Sequence, residues 1–467
     1  MIRRRLRQAW EWLDDRVGIT ETFGPMVTHL VPRGARWWYV FGSATLFAFM
    51  IQVLTGVALA FSYIPSTAHA YETLQFITQQ APFGHFLRAL HYYGASAMVL
   101  MVGLHMAQVF LFGAYKYPRE MTWVTGVMML GFVMIMGFTG QLLRWDQTGV
   151  WSVIIAAEQV GRVPFIGDWL ARFTLGGDTV GGATLSRFFA IHVFIMPSLV
   201  LAFVSIHLLG VLRHGISPPP KPGQFLSRKT YRKEYAELIK KDGVPFWPDS
   251  AWRDVLFGAG MAGVIVIMAV IFGPPELGKP PDPSIVDAYP RPDWYLLWYF
   301  AVLALLPKGS ESYFMVFGPM LVGLWLIAMP FISKRGERSP LRRPWAWAAV
   351  LMVIIMITTL WVAGAKSNWS PNFAVQPLPE KVVGVSSGPV AAGARFFYEK
   401  GCLYCHLIAN QGGRRGPNLT NIGAQRSREQ LVLIILGGRG NMPAFANNLT
   451  PEEMNGIVAF LESRKSR

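Results

Sequence analysis

The chain has 467 residues, of which 52% are hydrophobic and 15% are charged, and it carries a formal net charge of +16. The hydrophobic residues fall in runs long enough to span a bilayer, which favours a membrane protein over a soluble domain. Basic residues flank these runs, so the positive charge is better explained by membrane topology than by nucleic-acid binding. We therefore expect a lipid bilayer and no nucleic acid as surroundings.

Seven hydrophobic runs predict seven membrane-spanning helices. The N-terminal segment 1–36 is basic and amphipathic and lacks the apolar core of a signal peptide, so we expect it on the cytoplasmic membrane surface. The predicted spans cover residues 37–60, 90–113, 122–142, 188–212, 253–273, 312–332 and 345–364.

The orientation follows from the distribution of Lys and Arg between loops. Segment 1–36 holds seven, loop 213–252 eight and loop 333–344 five, whereas loop 61–87 has none and the longer loop 274–311 has three. We therefore predict a cytoplasmic N-terminus and an external C-terminus.

Four histidines lie inside two of the hydrophobic runs. His91 and His105 are 14 residues apart, and His192 and His207 are 15 apart. On an α-helix these spacings correspond to about four turns and about 21–23 Å, so each pair lies roughly on one face at two membrane depths. A single membrane histidine often only hydrogen-bonds a neighbouring helix. Two matched pairs instead predict two bis-histidine haem sites, one above the other.

Glycines and arginines near these histidines support the same hypothesis. Two glycine pairs, each 14 residues apart, would clear space for two macrocycles, although small residues also serve simple helix packing. Arg88 and Arg187 each precede an outer histidine by about one turn; pairing with haem propionates is favoured over an interfacial anchor. The glycines are Gly42, Gly56, Gly126 and Gly140.

Residues 37–214 resemble the cytochrome b of quinol-oxidising cytochrome bc complexes, closest to the chloroplast-type form. The resemblance rests on the His and Gly pairs, KYPREMTWVTGV at 116–127, WDQTGVW at 145–151 and RFFAIH at 187–192. The 15-residue spacing of the second His pair is also typical of chloroplast-type members. Residues 253–365 resemble the three-helix subunit IV of that complex.

The resemblance implies ligand pairs and one difference. An outer low-potential b haem would be held by His91 and His192, and an inner higher-potential b haem by His105 and His207. Chloroplast-type members attach a further haem through a Cys at the start of the first span. The corresponding residue here is Val40, so we expect no such thioether.

A proline-rich loop follows the fifth span. Pro292, Asp293, Trp294 and Tyr295 match the family's Pro-Glu-Trp-Tyr motif, with Asp in place of Glu. In the family this motif lines the outer quinol-oxidation site, where a carboxylate can accept a proton. On the residues alone a loop-capping Asp would be the simpler interpretation. The Asp form is more typical of members that use menaquinone.

Residues 366–389 form a predicted linker to a terminal domain, 390–467. This domain contains Cys402, Cys405 and His406 in a C-x-x-C-H motif for one covalent c-type haem. The order of the surrounding segments resembles small monohaem cytochromes c, which implies Met442 as second axial ligand. A zinc knuckle is the alternative, but too few further ligands are present.

The combined prediction is an all-α protein: a seven-helix transmembrane bundle, with a four-helix di-haem core and a three-helix subunit-IV-like part, followed by a small external all-α cytochrome c domain. Residues 215–252 would form a basic cytoplasmic loop. The expected function is quinol:cytochrome c oxidoreduction in a bacterial cytoplasmic membrane. Expected partners are a Rieske-type iron–sulfur subunit, the quinone pool, a downstream cytochrome c or oxidase, and a second copy in a homodimer. A di-haem membrane anchor is the main alternative, and a transporter is weaker.

Overall fold

The computed structural model describes the chain in two units, which are treated separately below. One comprises Met1–Trp145, Val153–Leu277 and Pro307–Thr358, and the other Asp146–Ser152, Gly278–Leu306 and Thr359–Arg467. The described residues are 2–225, 227–281, 292–307, 310–366, 375–414, 416–438, 442, 445 and 449–465. Parts of the predicted external loop (282–291), the linker (367–374) and the segment around Met442 therefore lie outside the described residues.

Seven helices of the described part are long and apolar enough to cross a membrane, which confirms the predicted all-α multi-pass fold. The first begins at Phe41 rather than 37, because Trp37–Tyr39 form a 3₁₀ turn before it. The spans are Phe41–Ala60, Gly84–Leu111, Glu120–Leu142, Gly182–His214, Phe246–Phe272, Ser310–Ile332 and Pro344–Ala365.

These helices form because uncharged apolar runs can satisfy their backbone polar groups in lipid only within the helix itself. Two of them end at glycines with a left-handed φ. Gly215 (φ 68°) directly follows His214, and Gly273 (φ 64°) directly follows Phe272. A positive φ costs glycine least, so these positions stop the helices at defined residues.

One end of the bundle is built from the basic connecting segments. Strand Leu30–Pro32 pairs antiparallel with strand Gly243–Pro245. Arg119 donates to the carbonyl oxygens of His214 and Gly215, at 2.9 Å each. Arg338 donates to the Ser217 hydroxyl. The three segments that are rich in Lys and Arg, 1–36, 213–252 and 333–344, therefore meet at the same end.

Several shorter helices surround the spans. They include two helices between the third and fourth spans, and a helix within the basic loop 215–252. Tryptophans 10 and 12 of the N-terminal helix are exposed. The short helices are Ile2–Val17, Ile19–Thr28, Ala70–Gln79, Gln147–Gly161, Gly167–Leu175 and Tyr231–Asp242.

The second unit contains the segment Gly278–Leu306, which follows the fifth span, and the C-terminal domain. The proline-rich segment was expected as a loop, but Leu297–Leu305 is a helix. Its start lies against the seventh span, because a Cβ on Gly364 would come within 2.6 Å of the Leu297 carbonyl oxygen. The helix sequence LWYFAVLAL is uniformly apolar, and its nine residues are too few for a span, so nothing in its periodicity marked it as a helix.

The C-terminal domain is built on two packed helices, Pro389–Glu399 and Pro451–Glu462. They approach closely at Gly393, where a Cβ would lie 1.9 Å from the Gly456 carbonyl oxygen. Thr450 forms a capping box with Glu453 at the start of the second of these helices. The remaining elements are helices Glu380–Val383, Cys402–Cys405 and Arg428–Gly437 and the strand pair Leu407–Ile408 with Gln411–Gly412.

Candidate haem and quinol sites

The four membrane histidines face each other in two pairs. The ring centroids of His91 and His192 are 6.3 Å apart, with their planes at 73°. Those of His105 and His207 are 6.4 Å apart, at 68°. These are the same-depth partners that the sequence predicts.

The separation suits one metal ion between each pair of rings. Two metal–nitrogen bonds of about 2 Å and two imidazole half-widths of about 1 Å predict a centroid separation of about 6 Å. Among the described residues, no group of three or more His, Cys, Asp or Glu side chains could hold a metal ion. Two opposed imidazoles with no further protein ligand match the axial ligation of haem iron.

A π-helical turn accounts for the longer spacing of the second pair. Residues Ile191–Ile195 form this turn, and the Met196 amide donates to the Ile191 carbonyl oxygen. A π turn holds one residue more than an α turn, so a spacing of 15 residues places His192 and His207 on one face much as 14 would. This turn was not predicted, although the additional residue between His192 and His207 was the signal for it.

Each of the four glycines lies against one histidine ring. A Cβ at Gly140 would lie 2.7 Å from His192 Cε1, and one at Gly56 would lie 3.3 Å from His91 Cε1. The corresponding distances are 3.2 Å from Gly42 to His105 and 3.6 Å from Gly126 to His207. The space left by these glycines is thus occupied by the imidazoles, and clearance for the macrocycles stays a prediction.

Three threonines support three of the rings. The Nδ1 atoms of the rings lie within hydrogen-bond distance of threonine hydroxyls that sequence reasoning did not single out. Each threonine directly precedes one of the glycines above, which is the signal that could have found it. The pairs are Thr55 with His91 (2.9 Å), Thr125 with His207 (3.0 Å) and Thr139 with His192 (3.1 Å).

The two arginines proposed for propionates differ in environment. Arg88 is buried, and its guanidinium donates to Thr78 Oγ1 (3.1 Å) and to the Pro275 carbonyl oxygen (2.7 Å). Arg187 is exposed and donates to the Phe173 carbonyl oxygen at 2.7 Å. Their pairing with propionates stays a prediction.

Asp293 occupies the N-cap position of the 3₁₀ turn Trp294–Leu296. Its side chain makes no capping hydrogen bond to this turn. The Tyr295 hydroxyl instead donates to Asp293 Oδ2 at 3.3 Å. The rings of Trp294 and Tyr295 meet edge to face at 5.7 Å. Three side chains of the predicted quinol motif thus form one connected group.

The C-x-x-C-H motif forms one short helix and the residue after it. Cys402 and Cys405 are not joined in a disulfide bond. The His406 ring is buried, with Nδ1 2.9 Å from the Pro417 carbonyl oxygen, so Nε2 is left for a metal. Met442 and Cys402 both pack against the same hydrophobic core as Leu403. These residues fit a covalently attached haem.

Two regions of the chain match models of cytochrome b. Residues 26–215 match "Cytochrome b/b6/petB" and residues 282–379 match "Cytochrome b(C-terminal)/b6/petD". The chain is 41% identical over 214 residues to cytochrome b6 of Synechococcus sp. (strain JA-3-3Ab), covering 46% of this chain and 100% of that protein. It is 40% identical to cytochrome b6 of Parasynechococcus marenigrum (strain WH8102), covering 45% of this chain and 97% of that protein. The chain belongs to the cytochrome b/b6 family.

Two further similarities extend beyond the N-terminal region of this cytochrome b. Residues 388–461 match "Cytochrome C oxidase, cbb3-type, subunit III", in keeping with the predicted cytochrome c domain. A solved structure entitled "Hyperthermophilic respiratory Complex III" aligns with a TM-score of 0.65 and 28% identity, over 76% of this chain and 91% of that one. The protein therefore joins both parts of cytochrome b to a cytochrome c domain, and it uses haem as its cofactor.

This chain has no Cys at the position through which chloroplast-type family members attach a further haem. Val40 is buried at the N-cap of the first span. The only two cysteines of the chain are those of the C-x-x-C-H motif. A thioether at the start of the first span would need a cysteine there, and the sequence has Val40 at that position.

Proposed function

We propose that this protein is the cytochrome b/c fusion subunit of a membrane-bound, proton-translocating quinol:cytochrome c oxidoreductase. The observation that carries the proposal is the pair of opposed imidazole sites, at 6.3 and 6.4 Å, within a cytochrome b fold. A simple di-haem anchor would need only the four-helix part. The match of residues 282–379 to the C-terminal part of cytochrome b favours the oxidoreductase.

The proposed cofactors are two non-covalent b-type haems and one covalent c-type haem. His91 with His192 and His105 with His207 would hold the b haems. Bound haems would supply one-electron transfer, across the membrane through the two b sites and on the outer side through the c site. Cys402 and Cys405 would attach the c haem, and its axial ligands would be His406 and Met442.

Quinol would be oxidised beside Asp293. Oxidation to quinone releases two electrons and two protons, and a carboxylate at the site can accept a proton. The hydrogen bond from Tyr295 holds Oδ2 in place, and Trp294 and Pro292 stiffen the surrounding turn. The Asp variant of the motif favours menaquinol as the substrate. One electron would leave towards an iron–sulfur protein and the other towards the inner side, as in a Q cycle.

The proposed partners follow from what the chain lacks. Its two cysteines belong to the C-x-x-C-H motif, so a Rieske-type cluster must be carried by another subunit. The similarity to a structure entitled respiratory Complex III supports a multi-subunit bc assembly. We expect a homodimer that takes electrons from the quinone pool and delivers them to a downstream cytochrome c or oxidase.

The proposed location is a bacterial cytoplasmic membrane with the N-terminus inside. Segments 1–36, 213–252 and 333–344 meet at one end of the bundle through the strand pairing and the Arg119 and Arg338 hydrogen bonds. Concentrated Lys and Arg favour the cytoplasmic side for that end. Seven crossings would then place the cytochrome c domain on the periplasmic side.

Haem counting and turnover of the purified complex together test the proposal. Pyridine haemochrome spectra should give two b haems for each c haem, and a denaturing gel should keep haem stain on this chain. The complex with its iron–sulfur subunit should reduce cytochrome c when menaquinol is added. A b-to-c ratio of one, or normal haem without quinol oxidation, would contradict the proposal. Extraction of the bound quinone would identify the natural substrate.

A further inference from the structure

The direction of the threonine–histidine hydrogen bonds can be read from the helices. Each threonine hydroxyl lies within hydrogen-bond distance of a carbonyl oxygen of its own helix, at 2.6 Å for Thr55 to Ile51 and 2.8 Å for Thr139 to Ile135. For Thr125 the distance to the Thr122 oxygen is 2.9 Å. A carbonyl can only accept, so the single hydroxyl proton points to it. The hydroxyl oxygen must then accept from the imidazole Nδ1–H.

This arrangement fixes the tautomer of three rings. With the proton on Nδ1, the lone pair of Nε2 is free for a metal ion. A hydrogen bond from Nδ1–H also makes the imidazole a stronger electron donor. A stronger donor favours ferric over ferrous iron and therefore lowers the reduction potential.

The fourth ring is different. Among the residues that the structure describes, His105 Nδ1 is buried and has no hydrogen-bond partner. The residue before its glycine, Gly42, is Phe41 instead of a threonine. Within the part of the chain that the structure describes, the Thr55 hydroxyl is the one hydrogen-bond partner of His91 Nδ1.

We propose that Thr55 and Thr139 are positioning residues that lower the potential of the outer b haem relative to the inner one. This inference rests on the haem ligation proposed above. Both outer imidazoles donate an Nδ1 hydrogen bond, whereas only His207 does so at the inner site. The resulting difference in reduction potential favours electron transfer from the outer b haem to the inner one. This is the direction needed for transfer across the membrane.

The test is a redox titration of the two b haems in the purified complex carrying Thr55→Val. Valine keeps the size of threonine and removes the acceptor. We expect the reduction potential of the outer b haem to rise, so that the difference in reduction potential between the two b haems becomes smaller. A tenfold change in the ferric-to-ferrous preference would appear as a shift of about 59 mV. Thr55→Ser should restore the wild-type value, because it restores the hydroxyl.

Two further variants separate this effect from general damage. Thr125→Val acts on His207 at the inner site. It should raise the reduction potential of the inner b haem and increase the difference between the two b haems. Thr45→Val is the matched control, because among the described residues the Thr45 hydroxyl bonds only the Phe41 carbonyl oxygen of the same helix. It should leave both potentials unchanged. In low-temperature EPR of the ferric haems, Thr55→Val and Thr139→Val should alter the g values of the outer b haem, and the other two variants should not.

The outcomes distinguish this inference from the proposed function. A wild-type complex without two b haems would overturn the haem ligation itself. Two b haems with potentials in Thr55→Val and Thr139→Val equal to those of the Thr45→Val control would overturn the inference alone. If Thr55→Val does not retain its haem, Thr139→Val decides, because it removes the Nδ1 acceptor of the other outer histidine, His192.

Discussion

Replacing Gly140 with alanine should impair the outer haem site selectively. The added Cβ would lie 2.7 Å from His192 Cε1 and 3.3 Å from both ring nitrogens. A contact under 3.0 Å cannot be kept, so either the imidazole or the third spanning helix must move. Movement of the ring takes Nε2 away from its position opposite His91.

The size of the effect can be estimated from the cost of overpacking. Inserting one methyl group into a packed interior costs about 1–3 kcal/mol. If that cost falls on the haem-bound geometry, the affinity for the outer haem decreases by about 5- to 150-fold. The same substitution at Gly126 would place Cβ at 3.6 Å from His207 Cε1, an ordinary van der Waals contact. Gly126→Ala is therefore the matched control with little expected loss.

The assay is the ratio of b haem to c haem in purified complex, because the covalent c haem counts the chains. Gly140→Ala should lower the ratio from two towards one and remove the low-potential component from the redox titration. Gly126→Ala should keep a ratio near two. Equal ratios and equal titrations in the two variants, or a larger loss in Gly126→Ala, would refute the reasoning from the Cβ distances.

Three further predictions concern the other sites. Asp293→Asn should slow quinol oxidation by about 10²–10⁴-fold with normal haem content, while Asp293→Glu should retain much of the activity; unchanged turnover across pH would mean that the proton leaves elsewhere. Replacing both Cys402 and Cys405 with Ser should abolish haem staining of the denatured chain but keep two b haems, and persistent staining would contradict the attachment site. Labelling of introduced cysteines should place loop 213–252 and the C-terminal domain on opposite sides, and one shared side would refute the topology.

Sequence patterns predicted the spans and the histidine partners because both depend on long-range regularity. An uncharged run of 20 or more residues has few alternatives to a membrane helix, and two matched histidine spacings permit one pairing by depth. The π turn at Ile191–Ile195 was not predicted, because a single added residue leaves no compositional trace. The helix Leu297–Leu305 was also missed, because a short uniformly apolar run has no period that distinguishes it from a loop.

The threonines show a limit of reading residues one type at a time. Thr-Gly occurs at 55–56, 125–126 and 139–140, but only the glycines had an expected role, which was to leave space for a haem. Along a helix, consecutive side chains differ by about 100°, so a residue beside a glycine that faces a ring can reach the edge of that ring. The glycine leaves room for the imidazole, and the neighbouring threonine hydroxyl then accepts a hydrogen bond from Nδ1–H. Because Gly42 lacks such a neighbour, the two proposed haem sites differ in the hydrogen bonding of their histidines, which would allow four chemically identical ligands to support two unequal potentials.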